Sequence, residues 1–179
     1  MIEMNERDTT PASSTEEVWM PPTNTKTRER YEVSPVGYVR VANGRTVLEI
    51  LPDFVPALKE LEHFSHVQIL WWFSSCADRE SRTTTQFDEM PFDAPPLGVF
   101  ACRAPKRPNP IGLTTARLLE VDPAEGQVVV GDIDAFDGTP ILDLKGYLPH
   151  CDRVKTVKVP DWASHWPEWL AEEGLGLPE

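Results

Sequence analysis

Leu113 to Leu144 reads LTTARLLEVDPAEGQVVVGDIDAFDGTPILDL, and it parses into three short strands. Leu113–Val121 is aliphatic and β-rich, and Gln127–Ile133 carries a valine triplet. Asp122–Gly126 between them is a turn, and Asp137-Gly138 marks a second turn before Thr139–Leu144. Short strands punctuated this closely predict an antiparallel barrel or sandwich rather than alternating β-α units.

Upstream, Val33–Pro52 (VSPVGYVRVANGRTVLEILP) reads as a β-hairpin. Asn43-Gly44 at its centre favours a tight primed turn. Val55, Leu58, Leu61 and Phe64 share a helical spacing, with Pro56 in the first turn. His66–Phe73 (HVQILWWF) is apolar enough for a buried strand, with Trp71 and Trp72 in the core. Residues 74–95 are polar and Pro-bearing, the length of a functional loop. Leu97–Cys102 is a further strand. Downstream, a short amphipathic helix is expected from about Ala163, interrupted at Pro167 and closed by Gly174. Trp162, Trp166 and Trp169 would dock that tail on the barrel or a partner subunit. Residues 1–30 read as a disordered tail, 31–155 as the domain, and 156–179 as a Trp-rich tail. The expected class is all-β, mainly antiparallel, with one or two short helices.

The chain has 179 residues, 40% hydrophobic and 26% charged, with a net charge of −12. Such an acidic balance argues against a generic nucleic-acid binder. Arg103–Arg107 (RAPKR) is an exception, with three cations and no anion, a local patch able to meet phosphate. No apolar run approaches a membrane span, and MIEMNERDTT has no apolar stretch like a signal peptide, so a cytoplasmic protein is expected. Cys76, Cys102 and Cys151 form no C-x-x-C pair, and reduced thiols fit that compartment. His63 and His66 would face opposite sides of a strand, so no metal site is expected. There is no G-x-G-x-x-G after a strand and no phosphate-binding G-x-x-x-x-G-K-[ST].

The most informative segment is GVFACRAPKRPNPIGLT, residues 98–114. Pro105, Pro108 and Pro110 stiffen a cationic loop between two strands, and Asn109 between prolines is held extended. The loop presents Arg103, Lys106 and Arg107 in fixed positions. It is either a rigid crossover with solvated charges or a phosphate-facing surface holding Lys106, Arg107 and Asn109.

LEHFSHVQILWWF, GVFACRAPKRPNPIGLT and DIDAFDGTPILDLKGYLPH resemble, in order and spacing, three blocks of the TsaA-like, or TrmO (YaeB), family. The resemblance covers roughly residues 31–155. It implies a small β-barrel binding S-adenosyl-L-methionine and methylating N6 of the threonylcarbamoyl-modified adenosine beside the anticodon of a tRNA. It also implies a homodimer with the cofactor site near the subunit interface. Carried over by position, Arg103, Leu113, Asp134, Ala135, Phe136 and Asp137 contact the cofactor. Ser74 and Ser75, by position only, stand for a pair, usually His-Gln in the family, that also contacts the cofactor. Val41–Thr46 (VANGRT) links the first two strands directly, so one wall of the family's site is missing or rebuilt. That departure leaves two alternatives open: a methyltransferase acting on another acceptor, or a non-catalytic module that binds the cofactor.

A sulfonium methyl donor asks the protein for alignment and exclusion of water. Phe136 could lie against the adenine or the sulfonium, and Asp134 or Asp137 could bond ribose hydroxyls. An amide-like nitrogen needs a base, for which Asp137 is the candidate; Asp137-Gly138 also reads simply as a turn. Asp143 and Lys145, two apart on a strand face, pair with each other or with Arg103.

Overall fold

A computed structural model describes residues 30–171. The described residues from Val33 onward form one compact unit. Six strands close a barrel in the order β1 (Gly37–Ala42), β2 (Arg45–Ile50), β7 (Gln127–Val130), β6 (Ile111–Asp122), β3 (His66–Trp72) and β8 (Pro140–Gly146), with every neighbour antiparallel. Closure removes the exposed edges that an open sheet of this size would carry. Two-residue strands β4 (Gln86–Phe87) and β5 (Leu97–Gly98) form a separate ribbon.

The β1–β2 hairpin closes through Asn43 at φ 54° and Gly44 at φ 72°. Two successive left-handed residues are what a primed two-residue turn requires. Strand β3 alternates between buried and partly exposed positions, sending Val67, Ile69 and Trp71 inward. There they meet Val39, Leu48, Val128 and Ile141, nearly all inaccessible to solvent. A barrel of six strands is narrow enough for these side chains to fill it. β8 carries a bulge: Leu70 faces Asp143, but Trp71 faces Ile141, leaving Leu142 extra. The bulge bends β8 where it passes Trp71.

Several expected elements differ. The Val55–Phe64 helix is two 3₁₀ turns, Pro52–Leu58 and Leu61–His63. Pro56 sits inside the first and removes a donor, and Glu60 at φ 70° separates the two. Leu97–Cys102 is a strand only to Gly98, then a 3₁₀ turn over Val99–Ala101. β7 ends at Val130, short of Ile133. Among the described residues the tail has a 3₁₀ turn, Asp161–Ala163, and no helix from Ala163 to its last described position, 171. Its amides bond three residues back, as Trp166 N–H does to Ala163 O at 3.1 Å. Pro160 and Pro167 bound the segment in which a longer α-helix would have to grow. One α-turn, α1 (Pro149–Asp152), follows β8 where none was expected. The expected N-terminal tail lies outside the described residues except at its last position, and Gly174 lies outside them entirely.

Candidate functional site

A cleft of about 370 Å³ opens where β3 ends, within the usual size range for a small-molecule site. Three chain segments wall it. The first is the end of β3 and the turn after it: Trp71, Trp72, Phe73, Ser74 and Ser75. The second is the cationic loop, through Arg103 and Pro105. The third is the β7–β8 connection, through Asp134, Phe136, Asp137, Gly138 and Thr139.

The floor is rigid. Trp71 packs on Phe73 with ring centroids 4.3 Å apart, and its indole N–H donates to Thr114 Oγ1 at 3.1 Å. Gly112 faces Trp71 across the β3–β6 ladder, and a Cβ there would overlap the indole.

The acidic wall is pinned to β1. Val41 N–H donates to Asp137 Oδ1 at 3.0 Å, and Gly138 N–H to Val39 O at 2.8 Å. Thr139 N–H closes the turn onto Phe136 O at 3.1 Å. Gly138 sits at φ 78°, a left-handed conformation that a side chain disfavours. Phe136 is carried at the tip of this turn and is 83% exposed.

The cationic wall is held by Arg107. Its Nε donates to Ala104 O at 2.8 Å, and its Nη2 to Val99 O at 3.1 Å and Cys102 O at 2.6 Å. The Val99 carbonyl thus finds a guanidinium instead of a strand partner, which is why the expected strand stops early. Phe73 N–H donates to Pro110 O at 2.8 Å and ties the loop to the end of β3. Arg103 is exposed and has no hydrogen bond or ion pair among the described residues. A half-buried fork serving three carbonyls is worth a few charge-assisted hydrogen bonds. Arg107→Ala is expected to cost about 2 kcal/mol and lower the melting temperature by roughly 5 °C. Lysine should not rescue it, because a point charge cannot span the fork. Thermal unfolding of the two variants checks this.

The structure therefore brings together Ser74, Ser75, Arg103, Asp134, Phe136 and Asp137 from the expected site. It does not bring Leu113 or Ala135 to the cleft lining. Leu113 faces outward on β6, and Ala135 packs against the core. Lys106 and Asn109 are exposed on the loop outside the lining, whereas Arg107 is occupied internally. Trp71, read as core, is both core and floor, whereas Trp72, also read as core, takes the outward face of β3 and is only half-buried. Trp72, Phe73, Pro105, Gly138 and Thr139 were not singled out for the site. Direct adjacency to Ser74, Arg103 and Asp137 was the available signal. Asp143 pairs with Lys145 at 2.6 Å, not with Arg103, and that contact raises the lysine's pKa. No group of His, Cys, Asp and Glu able to hold a metal occurs among the described residues.

The fold is a closed antiparallel β-barrel bearing a mixed-charge, aromatic-floored cleft of small-molecule size between two loops. Residues 25–153 match the family model for the tRNA-methyltransferase O N-terminal domain, and the chain belongs to that family. It is 36% identical over 113 residues to a Pyrococcus abyssi protein named as a probable S-adenosyl-L-methionine-binding protein, covering 63% of this chain and 57% of that one. It is 37% identical over 120 residues to the tRNA (adenine(37)-N6)-methyltransferase of Escherichia coli K12, covering 66% of this chain and 51% of the relative. The crystal structure of TrmO from Pseudomonas aeruginosa superposes with a TM-score of 0.56 at 34% identity, over 73% of this chain and 62% of that one. The chain spans just over half the length of the two curated relatives.

Proposed function

We propose that this chain is an S-adenosyl-L-methionine-dependent methyltransferase acting on N6 of a modified adenosine next to the anticodon of tRNA. The observation that carries this reading is the pairing, across one cleft, of an unpartnered guanidinium with two carboxylates over an aromatic floor. The donor set fits the cofactor. Arg103 suits its carboxylate, and Asp134 or Asp137 its ammonium or ribose hydroxyls. The exposed Phe136 ring offers a face for the purine. Ser74 and Ser75 add hydroxyls at the same wall. When bound, the cofactor supplies a methyl group already activated on a sulfonium. The chain's task is to hold the acceptor nitrogen in line, keep water out and receive a proton. In this reading Asp137, which lines the cleft, takes that proton, and the exposed Lys106 and Asn109 meet the RNA.

The chain works as a homodimer in this reading, in the cytoplasm. The outward row Leu70, Trp72, Ile111 and Leu113 on paired β3 and β6 supports an interface there; Ile111 and Leu113 are exposed in the single chain. Among the described residues no helix is long and apolar enough to cross a membrane.

One observation favours a second reading. The β1–β2 connection is only the Asn43-Gly44 turn and contributes nothing to the cleft. A cleft lacking that wall admits another acceptor.

Calorimetry with S-adenosylmethionine, followed by transfer of a labelled methyl to tRNA from a strain lacking the native enzyme, tests both. Binding and transfer are expected. Binding with transfer only to a different acceptor supports the second reading, and absence of binding overturns both. Arg103→Ala should weaken cofactor binding roughly 10- to 100-fold through loss of one charge-assisted contact, with melting unchanged. Normal binding in a destabilised variant would make Arg103 structural.

A further inference from the structure

Arg153–Lys158 (RVKTVK) carries three cations and no carboxylate in a chain of net charge −12. Every residue from Arg153 to Pro160 is exposed and outside any helix or strand. Lys155 and Lys158 have no ion pair among the described residues, and Val154 and Val157 are 68% and 69% exposed. Side chains of both kinds thus face solvent along the whole segment.

The segment is nonetheless anchored at both ends. At its start, α1 follows β8. Tyr147 N–H donates to His66 O at 3.0 Å, and Leu148 N–H to Asp152 Oδ2 at 2.9 Å. The first bond sets Tyr147, six residues before Arg153, beside the first residue of β3, the strand end opposite the cleft. At its finish, Trp162 stacks on Phe92 with centroids 5.7 Å apart, and Trp166 meets the same ring edge-on at 5.1 Å. Phe92 lies in the connection joining Ser75 to Arg103, which are two walls of the cleft. Arg153 also lies over the Trp169 ring at 5.2 Å.

We propose that Arg153–Val159 is a phosphate-contacting strap for the RNA whose base enters the cleft, with Lys155 and Lys158 as its principal contacts. This rests on the reading of the acceptor as tRNA. A cluster of cations without ion pairs, tethered at both ends to an acidic body, is a local site for a polyanion. The exposed valines offer apolar contact to riboses alongside it. Anchoring at both ends keeps the cluster in place, lowering the ordering cost that a free basic tail would carry on binding. The strap binds backbone and carries no base specificity.

The test is binding of tRNA to the full chain by fluorescence anisotropy across a salt series. Wild type is compared with Lys155→Gln, Lys158→Gln and the double variant, and with Lys59→Gln as a control of equal charge for the single variants. Removing two phosphate contacts is expected to reduce the salt slope by about 1.5 and weaken binding about tenfold near 0.1 M salt. Lys59→Gln should change neither, and calorimetric S-adenosylmethionine affinity and melting should stay at wild-type values in every variant. An unchanged slope in the double variant overturns the strap and leaves the tRNA reading standing. A loss in the Lys59 variant equal to that of either single variant also overturns it, by tracing the effect to overall charge. Wild-type chain that binds S-adenosylmethionine but no tRNA removes the tRNA reading and the strap together. So does binding only to vesicles containing phosphatidylserine.

Discussion

Replacing Gly112 by alanine is expected to destabilise the protein by about 2–3 kcal/mol, through overpacking of a fixed site, and to damage the cleft. The added Cβ would fall 2.7 Å from two atoms of the Trp71 indole, and closer still to a third. Neither partner has an easy way to yield. The backbones are held by the β3–β6 ladder. The ring is wedged against Phe73 and bonded to Thr114, so it moves only by giving up that bond or its packing. Because Trp71 floors the cleft, the displacement should appear twice. The melting temperature should fall by roughly 5–10 °C, and S-adenosylmethionine should bind more weakly. A double-mutant cycle with Trp71→Leu isolates the cause, since the smaller side chain leaves room for the methyl. Equal cost of Gly112→Ala in both backgrounds would show that the indole is not what the methyl meets.

The barrel was legible in the sequence because its strands are defined by local signals. Asn43-Gly44 and Asp137-Gly138 mark turns whose φ values only a few residues tolerate, and β3 alternates inside and outside with period two. The segments that misled are those where tertiary partners or proline overrode the pattern. Val55, Leu58 and Leu61 have helical spacing, but Pro56 inside the first turn removes a donor and Glu60 at φ 70° breaks the run. Leu97–Cys102 looks like a core strand, yet Phe100 is 88% exposed and the Val99 carbonyl belongs to Arg107. The same guanidinium shows why the site was only partly legible. Composition marks Arg103, Lys106 and Arg107 as equivalent cations. Nothing local reveals that Arg107 folds back to hold the loop while Arg103 stays open to the cleft. Resemblance placed Arg103 and the Asp134–Asp137 turn, but the aromatic floor needed the β3–β6 register to emerge.

Asp137→Asn separates two tasks that the structure gives to one carboxylate. One oxygen accepts Val41 N–H at 3.0 Å, which caps β1 and fixes the acidic turn. The same side chain lines the cleft, where the proposed reaction needs a proton acceptor. Asparagine keeps an oxygen that can accept from Val41 but loses the charge and basicity. Its melting temperature should therefore stay within roughly 2 °C of wild type, a shift of well under 1 kcal/mol. Methyl transfer should slow by about 10²–10⁴, the usual contribution of a positioned base. Alanine should do both kinds of harm, losing the base and about 1 kcal/mol from the vacated amide. Single-turnover transfer measured at saturating S-adenosylmethionine distinguishes this from weakened binding, which saturation would mask. An asparagine variant that transfers methyl at the wild-type rate would reduce Asp137 to a turn residue. The proton would then have to leave through Asp134 or directly to solvent, and the acidic wall would serve only to seat the cofactor.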